Sequence, residues 1–261
     1  MLDEIVMTKQ DEILHAKNEL PFEELKARLK SHLAERQFRH MITRPGTISL
    51  IAELKRKSPS KGMLRERFDP VSLAQALQAA GASALSVLTD EAYFGGSLDY
   101  LRDAKQFTEI PVLRKDFIVD PYQVYEAAWY GADAVLLIVR ILTEEELVVC
   151  LQAADTVGLE ALVEVHSEAD LKIALRCGAG AIGINARDLK TFQIDPTLAA
   201  QLVPKIPAGK TIVAESGIHT AEDVARLKAL GVHALLIGEA LMTAPDPAAK
   251  VQELFGAAWG R

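Results

Sequence analysis

Residues 111–139 decide the fold, and they read PVLRKDFIVDPYQVYEAAWYGADAVLLIV. The apolar runs at the two ends of this stretch, Pro111–Arg114 and Ala134–Val139, each predict a short strand. Between them lies a helical stretch that ends at Gly131, because glycine takes the left-handed conformation of a helix terminus without steric cost. Two strands joined in this way by one helix are typical of a parallel sheet.

The same unit repeats on both sides of this stretch, from residue 48 onward. Helical stretches such as Pro70–Gly81, Thr143–Gly158 and Thr220–Gly231 separate short β-type runs, and several of these helices also end in glycine. The predicted strands are Ile48–Leu54, Ala84–Leu88, Pro111–Arg114, Ala134–Val139, Glu160–Val165, Ala181–Ile184, Thr211–Ala214 and Ala234–Ile237.

Two α/β architectures are built from such units. An open doubly wound sheet normally carries a glycine-rich dinucleotide loop after its first strand, whereas here the first strand is followed by residues 55–61, KRKSPSK. Eight strand–helix units in roughly 210 residues fit a closed (β/α)8 TIM barrel. We therefore predict the closed barrel.

The first forty-odd residues have a different pattern. Apolar residues from Ile5 to Leu33 recur near a helical period with charges between them, and Pro21 divides the pattern into two helices. We predict an N-terminal helical extension over residues 1–45 and a catalytic barrel domain over residues 46–261.

Composition limits the classes of protein to which the chain can belong. Apolar residues make up 49% and charged residues 25%, as in an ordinary globular protein. The net charge of −7 and the sequence pI of about 5.5 argue against a general nucleic-acid binder, which needs a basic excess to meet phosphates. An anionic small molecule remains a suitable ligand, because a few lysines in a cleft suffice to bind it.

Cysteine usage and the apolar runs bear on the compartment. Cys150 and Cys177 lie in apolar helical surroundings without a C-x-x-C motif, so we expect reduced thiols. The chain begins with acidic residues where a signal peptide carries basic ones, and its longest apolar run is too short to cross a bilayer. We expect a cytoplasmic protein without membrane or nucleic-acid partners, and a single barrel is compatible with a monomer.

Polar residues close five of the predicted strands. Side chains alternate along a strand, so Leu50 and Leu54 of the first strand would face the helices while Glu53 and Lys55 face the interior. The same parity points inward, on four other strands, for Lys115, Glu164, Asn185 and Glu215. Carboxyl ends of barrel strands form the active-site mouth, and buried charges are costly unless they are paired. We interpret this set as functional rather than as solvated strand ends.

Two glycines follow the last two strands. Gly217 and Gly238 lie in the loops where barrels often bind phosphate, and glycine lets backbone N–H groups approach an anion. Each glycine alone could simply form a turn, but the two together favour a phosphate site.

Motifs at these strand ends resemble those of the indole-3-glycerol-phosphate synthase family. They are residues 51–60 (IAELKRKSPS), 89–97 (TDEAYFGGS), 113–117 (LRKDF), 184–189 (INARDL) and 215–218 (ESGI). The likeness covers nearly the whole chain, including the N-terminal helices. It implies a lyase of tryptophan biosynthesis that converts 1-(2-carboxyphenylamino)-1-deoxy-D-ribulose 5-phosphate to indole-3-glycerol phosphate, CO2 and water.

The resemblance implies roles for the charged residues of the mouth. Lys115 would be the general acid at the ketone oxygen, and Glu164 would act as base or acid in the dehydration. Lys55 would bind an anionic group of the substrate and share proton delivery, whereas Glu53 would orient one of the two lysines and accept a proton. Asn185 would hydrogen-bond the substrate.

It also implies the remaining contacts with the substrate. Those to the body of the substrate would come from Ser58, Phe94, Phe117, Arg187, Glu215 and Leu236. Those to the phosphate would come from Ser216, Gly217, Gly238 and Glu239, with Ser216 counted among the catalytic residues as well. Two positions depart from the family pattern, because Ala186 stands where many members have Asn and Glu239 where some have a small hydroxyl residue. A carboxylate is unfavourable beside phosphate, so we expect Glu239 to use only its N–H group.

No metal or organic cofactor is implied, because the cyclised cation itself takes up the electron pair that CO2 leaves behind. Several alternatives stay open at this point. One is a sister barrel, either an isomerase with a Cys/Asp pair or the α subunit of tryptophan synthase. Another is a Schiff-base aldolase with Lys115 as nucleophile, and the last is a phosphosugar-binding barrel without catalysis.

Two segments carry further expectations. The basic stretch Arg36–Arg44 suggests that the N-terminal extension contributes to substrate binding. The charged segment Lys55–Lys61, which precedes Gly62, is expected to be mobile without ligand and to close over the substrate.

Overall fold

The computed structural model describes residues 1–29, 37–188 and 191–259. Its strands are β1 (Ser49–Leu54), β2 (Lys57–Ser58), β3 (Gly62–Met63), β4 (Ala84–Leu88), β5 (Val112–Lys115), β6 (Ala134–Ile138), β7 (Glu160–Val165), β8 (Ala181–Asn185), β9 (Thr211–Glu215) and β10 (Ala234–Ile237). β1 and β4 to β10 form a closed parallel barrel in the order β1-β10-β9-β8-β7-β6-β5-β4, and β4 pairs back to β1. The predicted (β/α)8 barrel is confirmed, with every barrel strand within one residue of its predicted bounds.

Helices connect the strands and surround the barrel. They are α1 (Leu2–Glu19), α2 (Phe22–Arg28), α3 (Phe38–Ile42), α4 (Pro70–Ala80), α5 (Leu98–Phe107), α6 (Pro121–Trp129), α7 (Glu144–Val157), α8 (Glu168–Arg176), α9 (Leu198–Leu202), α10 (Ala221–Ala229), α11 (Glu239–Met242) and α12 (Pro247–Phe255). Over the described part of the chain, no helix is long and apolar enough to cross a membrane.

Helix ends are set by local sequence. Asp69, Asp120 and Thr143 accept hydrogen bonds from backbone N–H groups of the first turn of α4, α6 and α7. Gly81 and Gly158 end α4 and α7 in the left-handed region, with φ of 109° and 75°. These sharp ends keep the connections short, so that each following strand enters the barrel in a fixed register.

Alternating side chains divide the strands into two apolar layers. Leu50 and Leu54 of β1 pack against the surrounding helices, whereas Ile51 lies inside the barrel, as the parity of the sequence predicts. Other strands contribute to the inner layer through Leu113, Leu162, Val213 and Leu236. Glu53, two residues after Ile51, points in the same inward direction and lies at the mouth.

The N-terminal helices reach both ends of the barrel. Leu2 and Ile5 of α1 join the inner apolar cluster at the mouth, and Thr8 hydrogen-bonds the Tyr93 hydroxyl in the loop after β4. At the opposite end, the fully buried Phe38 of α3 closes the floor. The break between helices at Pro21 is confirmed, because α1 ends at Glu19 and α2 begins at Phe22.

Arg39 belongs to the basic stretch that motivated a substrate-binding role for the extension, but it does not lie at the mouth. The backbone N–H of Arg39 donates to Glu160 at the start of β7, and its guanidinium donates to Thr211 at the start of β9. These are amino ends of strands, so Arg39 lies at the floor, away from the mouth. Arg36 and Leu33 are outside the described residues.

Two elements differ from the regular pattern of the sequence. The segment after β1 forms the antiparallel hairpin β2–β3, with Lys57 paired to Met63, where the sequence predicted only a mobile segment. Between β8 and β9, α9 has 5 residues and is followed by a 3-10 turn, Val203–Lys205, rather than by a full amphipathic helix. Leu189, the last residue of the INARDL motif, is outside the described residues.

Candidate active site

A cleft opens at the carboxyl ends of the barrel strands. We call it the mouth cleft. Its lining includes these predicted site residues: Glu53, Lys55, Lys115, Asn185, Arg187, Glu215, Ser216, Gly217, Leu236, Gly238 and Glu239. The charged strand ends and the two glycine loops, which the sequence placed at one mouth, therefore surround one cavity.

Two glycines make room for the acidic side chains of the cleft. A Cβ atom on Gly183 of β8 would overlap the Glu215 carboxyl group, and one on Gly238 would overlap the Glu53 carboxylate. Both carboxyl groups are thus pressed against backbone that has no side chain. This close approach fixes their positions more tightly than side-chain packing alone would.

Lys115 lies between two buried glutamates at the centre of the site. Its Nζ is 3.4 Å from Glu164 Oε2 and 3.8 Å from Glu215 Oε2. Burial alone would lower the pKa of Lys115, but attraction to Glu164, Glu215 and Glu53 outweighs it and raises the pKa above its ordinary value. Lys115 is therefore charged throughout the neutral pH range.

The two glutamates differ in ionisation although both are buried. Burial raises the pKa of Glu164, but Lys115, His166 and hydrogen bonds from Asn185 and Glu215 reverse this and lower it. Burial and repulsion from Glu164 raise the pKa of Glu215 well above its ordinary value, despite the opposing attraction of Lys115. The pKa values of the two neighbouring carboxyl groups are thus shifted in opposite directions, so Glu164 ionises more readily than Glu215.

Lys55 and Glu53 form a second charged pair on the other side of the cleft. The Lys55 ammonium donates directly to Glu53 Oε2. Glu53 is 4% exposed, and a buried carboxylate is costly unless it is paired. The pair adds one positive and one negative group without changing the net charge of the cleft.

Arg187 forms an ion pair with Glu239, which is one of the two residues that depart from the expected pattern. Its guanidinium lies 3.0 Å from Glu239 Oε2, and Lys61 Nζ lies 3.9 Å from the other oxygen of that carboxylate. The side chain of Glu239 is therefore held by cations. Its backbone stays in the cleft wall beside Gly238.

The loop after β9 has an unusual backbone. Ser216 and Gly217 both have positive φ, 66° and 70°. For Ser216 this conformation is strained, and such strain is often stored at functional sites. Ser216 and Gly217 line the mouth cleft together with Gly238, as the phosphate hypothesis requires.

Some predicted site residues lie beside the cleft rather than in its wall. Glu164 is fully buried behind Lys115. The rings of Phe94 and Phe117 lie 5.9 Å apart in the inner apolar cluster, where α1 also packs. Ser58 belongs to β2 and accepts a hydrogen bond from the backbone N–H of Lys61 at 3.3 Å.

A model of the indole-3-glycerol phosphate synthase family matches residues 2–254. The chain belongs to the indole-3-glycerol phosphate synthase family. The family's enzyme from Carboxydothermus hydrogenoformans is 44% identical over 260 residues, which cover 97% of this chain and 98% of that one. The enzyme of this name from Dehalococcoides mccartyi strain CBDB1 is 51% identical over 210 residues, covering 79% and 81%.

Membership of the indole-3-glycerol phosphate synthase family makes the chain a carboxy-lyase of tryptophan biosynthesis. Among solved structures, the 3-hexulose-6-phosphate synthase from Salmonella typhimurium matches with a TM-score of 0.66 at 15% identity, covering 82% of this chain and 99% of that one. At that identity the likeness is one of fold alone.

The geometry also argues against the other chemistries considered for this barrel. A Schiff-base lysine must be neutral to attack a carbonyl, whereas the pKa of Lys115 is raised. An isomerase with a Cys/Asp pair would need a thiol at the mouth. Cys150 is instead buried in α7, where burial raises its pKa to about 12, and Cys177 follows α8 on the outside of the barrel. Both thiols are free, as expected.

His166, which the strand-end pattern above does not include, also contacts the central pair. Its Nε2 lies 3.2 Å from Glu164 Oε1, and burial lowers its pKa despite the attraction of Glu164. The parity rule could have found it, because positions 164 and 166 share a strand face. Within residues 1–29, 37–188 and 191–259, no three His, Cys, Asp or Glu side chains are grouped so as to hold a metal ion.

Proposed function

We propose that the mouth cleft closes the indole ring of 1-(2-carboxyphenylamino)-1-deoxy-D-ribulose 5-phosphate, with Lys115 as general acid and Glu164 as general base. The observation that most supports these roles is the placement of Lys115 between Glu164 and Glu215, whose pKa values are shifted in opposite directions. Lys115 lines the mouth cleft and Glu164 lies 3.4 Å from it, so an acid and a base stand side by side at one site.

In ring closure, Lys115 donates a proton to the ketone oxygen of the sugar chain. The aromatic carbon that bears the carboxylate attacks the ketone carbon, a C–C bond forms, and the ketone oxygen becomes a hydroxyl group. The developing alkoxide is a far stronger base than an amine. Proton transfer is therefore favourable even from an ammonium whose pKa the surrounding carboxylates raise.

Loss of CO2 and water completes the reaction. The C–CO2 bond breaks, and its electron pair neutralises the cyclised cation and restores the aromatic ring. Dehydration then removes the new hydroxyl group together with a proton from the adjacent ring CH2. Glu164, ionised by its neighbours, accepts that proton, and an ammonium of the cleft, Lys55 or Lys115, protonates the leaving hydroxyl.

The remaining residues bind the two ends of the substrate. Ser216, Gly217, Gly238 and the N–H group of Glu239 receive the phosphate, and Arg187 holds the Glu239 carboxylate away from it. Asn185 hydrogen-bonds a sugar hydroxyl, Ser58 and Glu215 contact the body of the substrate, and Lys55 meets its carboxylate. The aromatic ring would lie against an apolar wall, for which the candidates are Leu236, Phe94 and Phe117.

We also propose that the protein acts as a monomer in the cytoplasm. All charged groups of the proposed mechanism come from one chain, so no partner is needed to complete the cleft. Free thiols at Cys150 and Cys177 suit a reducing compartment. Light scattering on the purified protein tests the first point, and a dimer would contradict it.

Turnover of the substrate, followed by indole fluorescence, tests the function directly. We expect the wild-type protein to produce a fluorescence rise and Lys115→Ala to lower kcat by about 10²–10⁴-fold, the usual contribution of a general acid. Lys172→Ala is the matched control, because Lys172 pairs with Glu168 in α8, on the outside of the barrel. Tight substrate binding by the wild type without any fluorescence rise would favour a binding module instead.

A further inference from the structure

Lys9 is a buried charge in the middle of α1, the helix that crosses the mouth. Lys9 is 2% exposed, whereas a lysine in the first helix of an extension would ordinarily face water. Its Nζ lies 2.9 Å from Asp90 Oδ2 and 3.1 Å from Asp116 Oδ1, and it donates to Glu12 at 2.7 Å. α1 therefore inserts one cation between two buried anions of the barrel.

Each of these aspartates organises a loop at the mouth. Asp90 Oδ1 accepts the backbone N–H groups of Tyr93, at 2.7 Å, and Phe94, at 3.0 Å. Asp116 Oδ1 accepts the N–H group of Phe117 at 2.8 Å. The first loop follows β4, the second follows β5, and Asp116 comes directly after Lys115.

The two loops deliver neighbouring aromatic rings. The rings of Phe94 and Phe117 lie 5.9 Å apart, and Leu2 and Ile5 of α1 belong to the same apolar cluster. Lys9, one to two turns further along α1, bridges the carboxylates at the base of the same loops. The ion pairs of Lys9 and the apolar packing of Leu2 and Ile5 thus both hold α1 against the loops after β4 and β5.

We propose that Lys9 is a positioning residue, which holds the Asp90 and Asp116 loops together so that Phe94 and Phe117 form the wall that receives the aromatic ring of the substrate. This inference rests on the proposed function, in which these two phenylalanines face that ring.

Electrostatics explains why one cation can set the spacing of two loops. Without the ammonium, Asp90 and Asp116 would be two buried anions side by side, and the buried Arg114, 3.2 Å from Asp116, would compensate only one of them. Burial lowers the pKa of Lys9, but Asp116 and Asp90 more than reverse this, so the ammonium remains charged. Removing it would drive the loops apart and release α1 from the mouth.

Lys9→Met keeps the length of the side chain and removes its charge, so it tests the proposal directly. The matched control is Lys17→Met, because Lys17 also anchors α1, through Asp120 at 2.7 Å, but contacts neither aspartate. Three quantities would be measured for each variant: kcat and KM for the carboxyphenylamino-deoxyribulose phosphate, the Kd of anthranilate, and inhibition by inorganic phosphate.

We expect Lys9→Met to raise both KM and the Kd of anthranilate by about tenfold, to leave phosphate inhibition unchanged, and to lower kcat by less. Lys17→Met should behave like wild type in all three measurements. If the role of Lys9 were merely structural, the binding of phosphate and the binding of anthranilate would both weaken. Equal behaviour of Lys9→Met and wild type, or equal losses in both lysine variants, would overturn the proposal.

Asp90→Asn serves as the second variant if Lys9→Met does not fold in a thermal melt. It keeps an Oδ1 acceptor for Tyr93 and Phe94 and removes the charge that Lys9 meets. The same selective rise in the Kd of anthranilate is expected, and an unchanged Kd would overturn the proposal. Failure of the proposed function is a different result, because the wild type itself would then show no turnover.

Discussion

Glu164 and Glu215 show how the pKa values of two neighbouring residues of the same type can be shifted in opposite directions. Both are buried, and both are near Lys115. Glu164 also receives hydrogen bonds from Asn185 and Glu215, which stabilise its anion, whereas Glu215 faces that anion. Of the two carboxyl groups, Glu215 therefore holds its proton to the higher pH, and Lys115 lies within 4 Å of both.

The ionisation of Glu215 predicts how its removal alters stability with pH. Because its pKa is raised in the folded state, the native protein holds a proton that the unfolded chain releases above a pH of about 4.3. The stability from this proton is complete below that pH and is lost as the pH rises towards the folded-state pKa. In Glu215→Gln, which carries no such proton, the Tm difference from wild type should shift in favour of the variant as the pH rises.

Thermal melts of both proteins between pH 4 and pH 8 measure this difference. Glu164 and Lys115 are present in both, so most of their own titration cancels. A Tm difference that stays constant over this range would contradict a neutral Glu215.

Gly238 predicts a loss of activity that is not a loss of folding. Its φ lies outside the left-handed region, but a Cβ atom there would overlap the Glu53 carboxylate. Gly238→Ala should therefore displace Glu53 from Lys55 and lower kcat/KM by about 10²-fold, the usual effect of a small misplacement in an active site. Steady-state kinetics and a thermal melt separate the two effects.

Gly178→Ala is the control variant, for which we expect a loss of stability without a loss of activity. Gly178 has φ of 88° and open space around its Cα, so alanine should cost about 1–2 kcal/mol of unfolding free energy and leave kcat/KM unchanged. If Gly238→Ala lost only stability in the same way, Glu53 would not be held in a catalytically required position.

Strand parity predicted which charged side chains point into the barrel. It could not predict properties that depend on contacts between distant parts of the chain. Alternation along β1, β5, β8 and β9 is a local property, so the positions of Glu53, Lys115, Asn185 and Glu215 could be inferred from the sequence. The protonation of Glu215 depends on distances between strands that no local pattern contains. The same holds for Lys9, whose two partners lie in loops far along the chain.

Among the elements, the hairpin β2–β3 stands between the mouth and the solvent. It is fixed at its base, where the Leu64 N–H donates to the Arg56 carbonyl at 2.9 Å and Lys57 Nζ to the Ala92 carbonyl. Ser60 and Lys61 in the turn at its tip are exposed, and Lys61 lies 3.9 Å from Glu239 in the cleft wall. The base of the hairpin is therefore anchored, and its tip lies near Glu239 in the cleft wall.

We therefore expect the hairpin to close when ligand is bound. Hydrogen exchange of residues 56–64 should slow when indole-3-glycerol phosphate is added, because the product phosphate attracts Lys61 and orders the tip. Residues 168–176 of α8, on the outside of the barrel, provide the internal control and should exchange equally in both states. Equal exchange of the hairpin with and without product would contradict closure.

Barrel strands were predictable because each is a continuous apolar run between turn signals. The hairpin was not, since its strands have 2 residues each and owe their pairing to the turn rather than to any apolar pattern. α9 was overestimated for a related reason. The regular spacing of the strands implied a full helix between β8 and β9. The chain instead forms the Arg187–Ile194 bridge first, so fewer residues remain for α9.

On the scale of the whole molecule, the N-terminal segment closes the barrel at both ends. Ile5 of α1 is 4% exposed at the mouth, and Phe38 of α3 is fully buried at the floor. Both belong to the apolar cluster inside the barrel. One end of this cluster supports the aromatic loops and the other supports only the fold, so stability and substrate binding should separate along the barrel axis.

Phe38→Ala and Ile5→Ala test that separation. Phe38→Ala should lower the free energy of unfolding by about 3–5 kcal/mol, the range for a buried aromatic residue, and leave KM unchanged because the floor lies far from the cleft. Ile5→Ala should cost about 2–5 kcal/mol and also raise KM, since α1 would pack less closely on Phe94 and Phe117. Urea unfolding and steady-state kinetics measure both quantities. An equal rise in KM for the two variants would mean that a change in packing at the floor also alters the mouth. Stability and substrate binding would then not separate along the barrel axis.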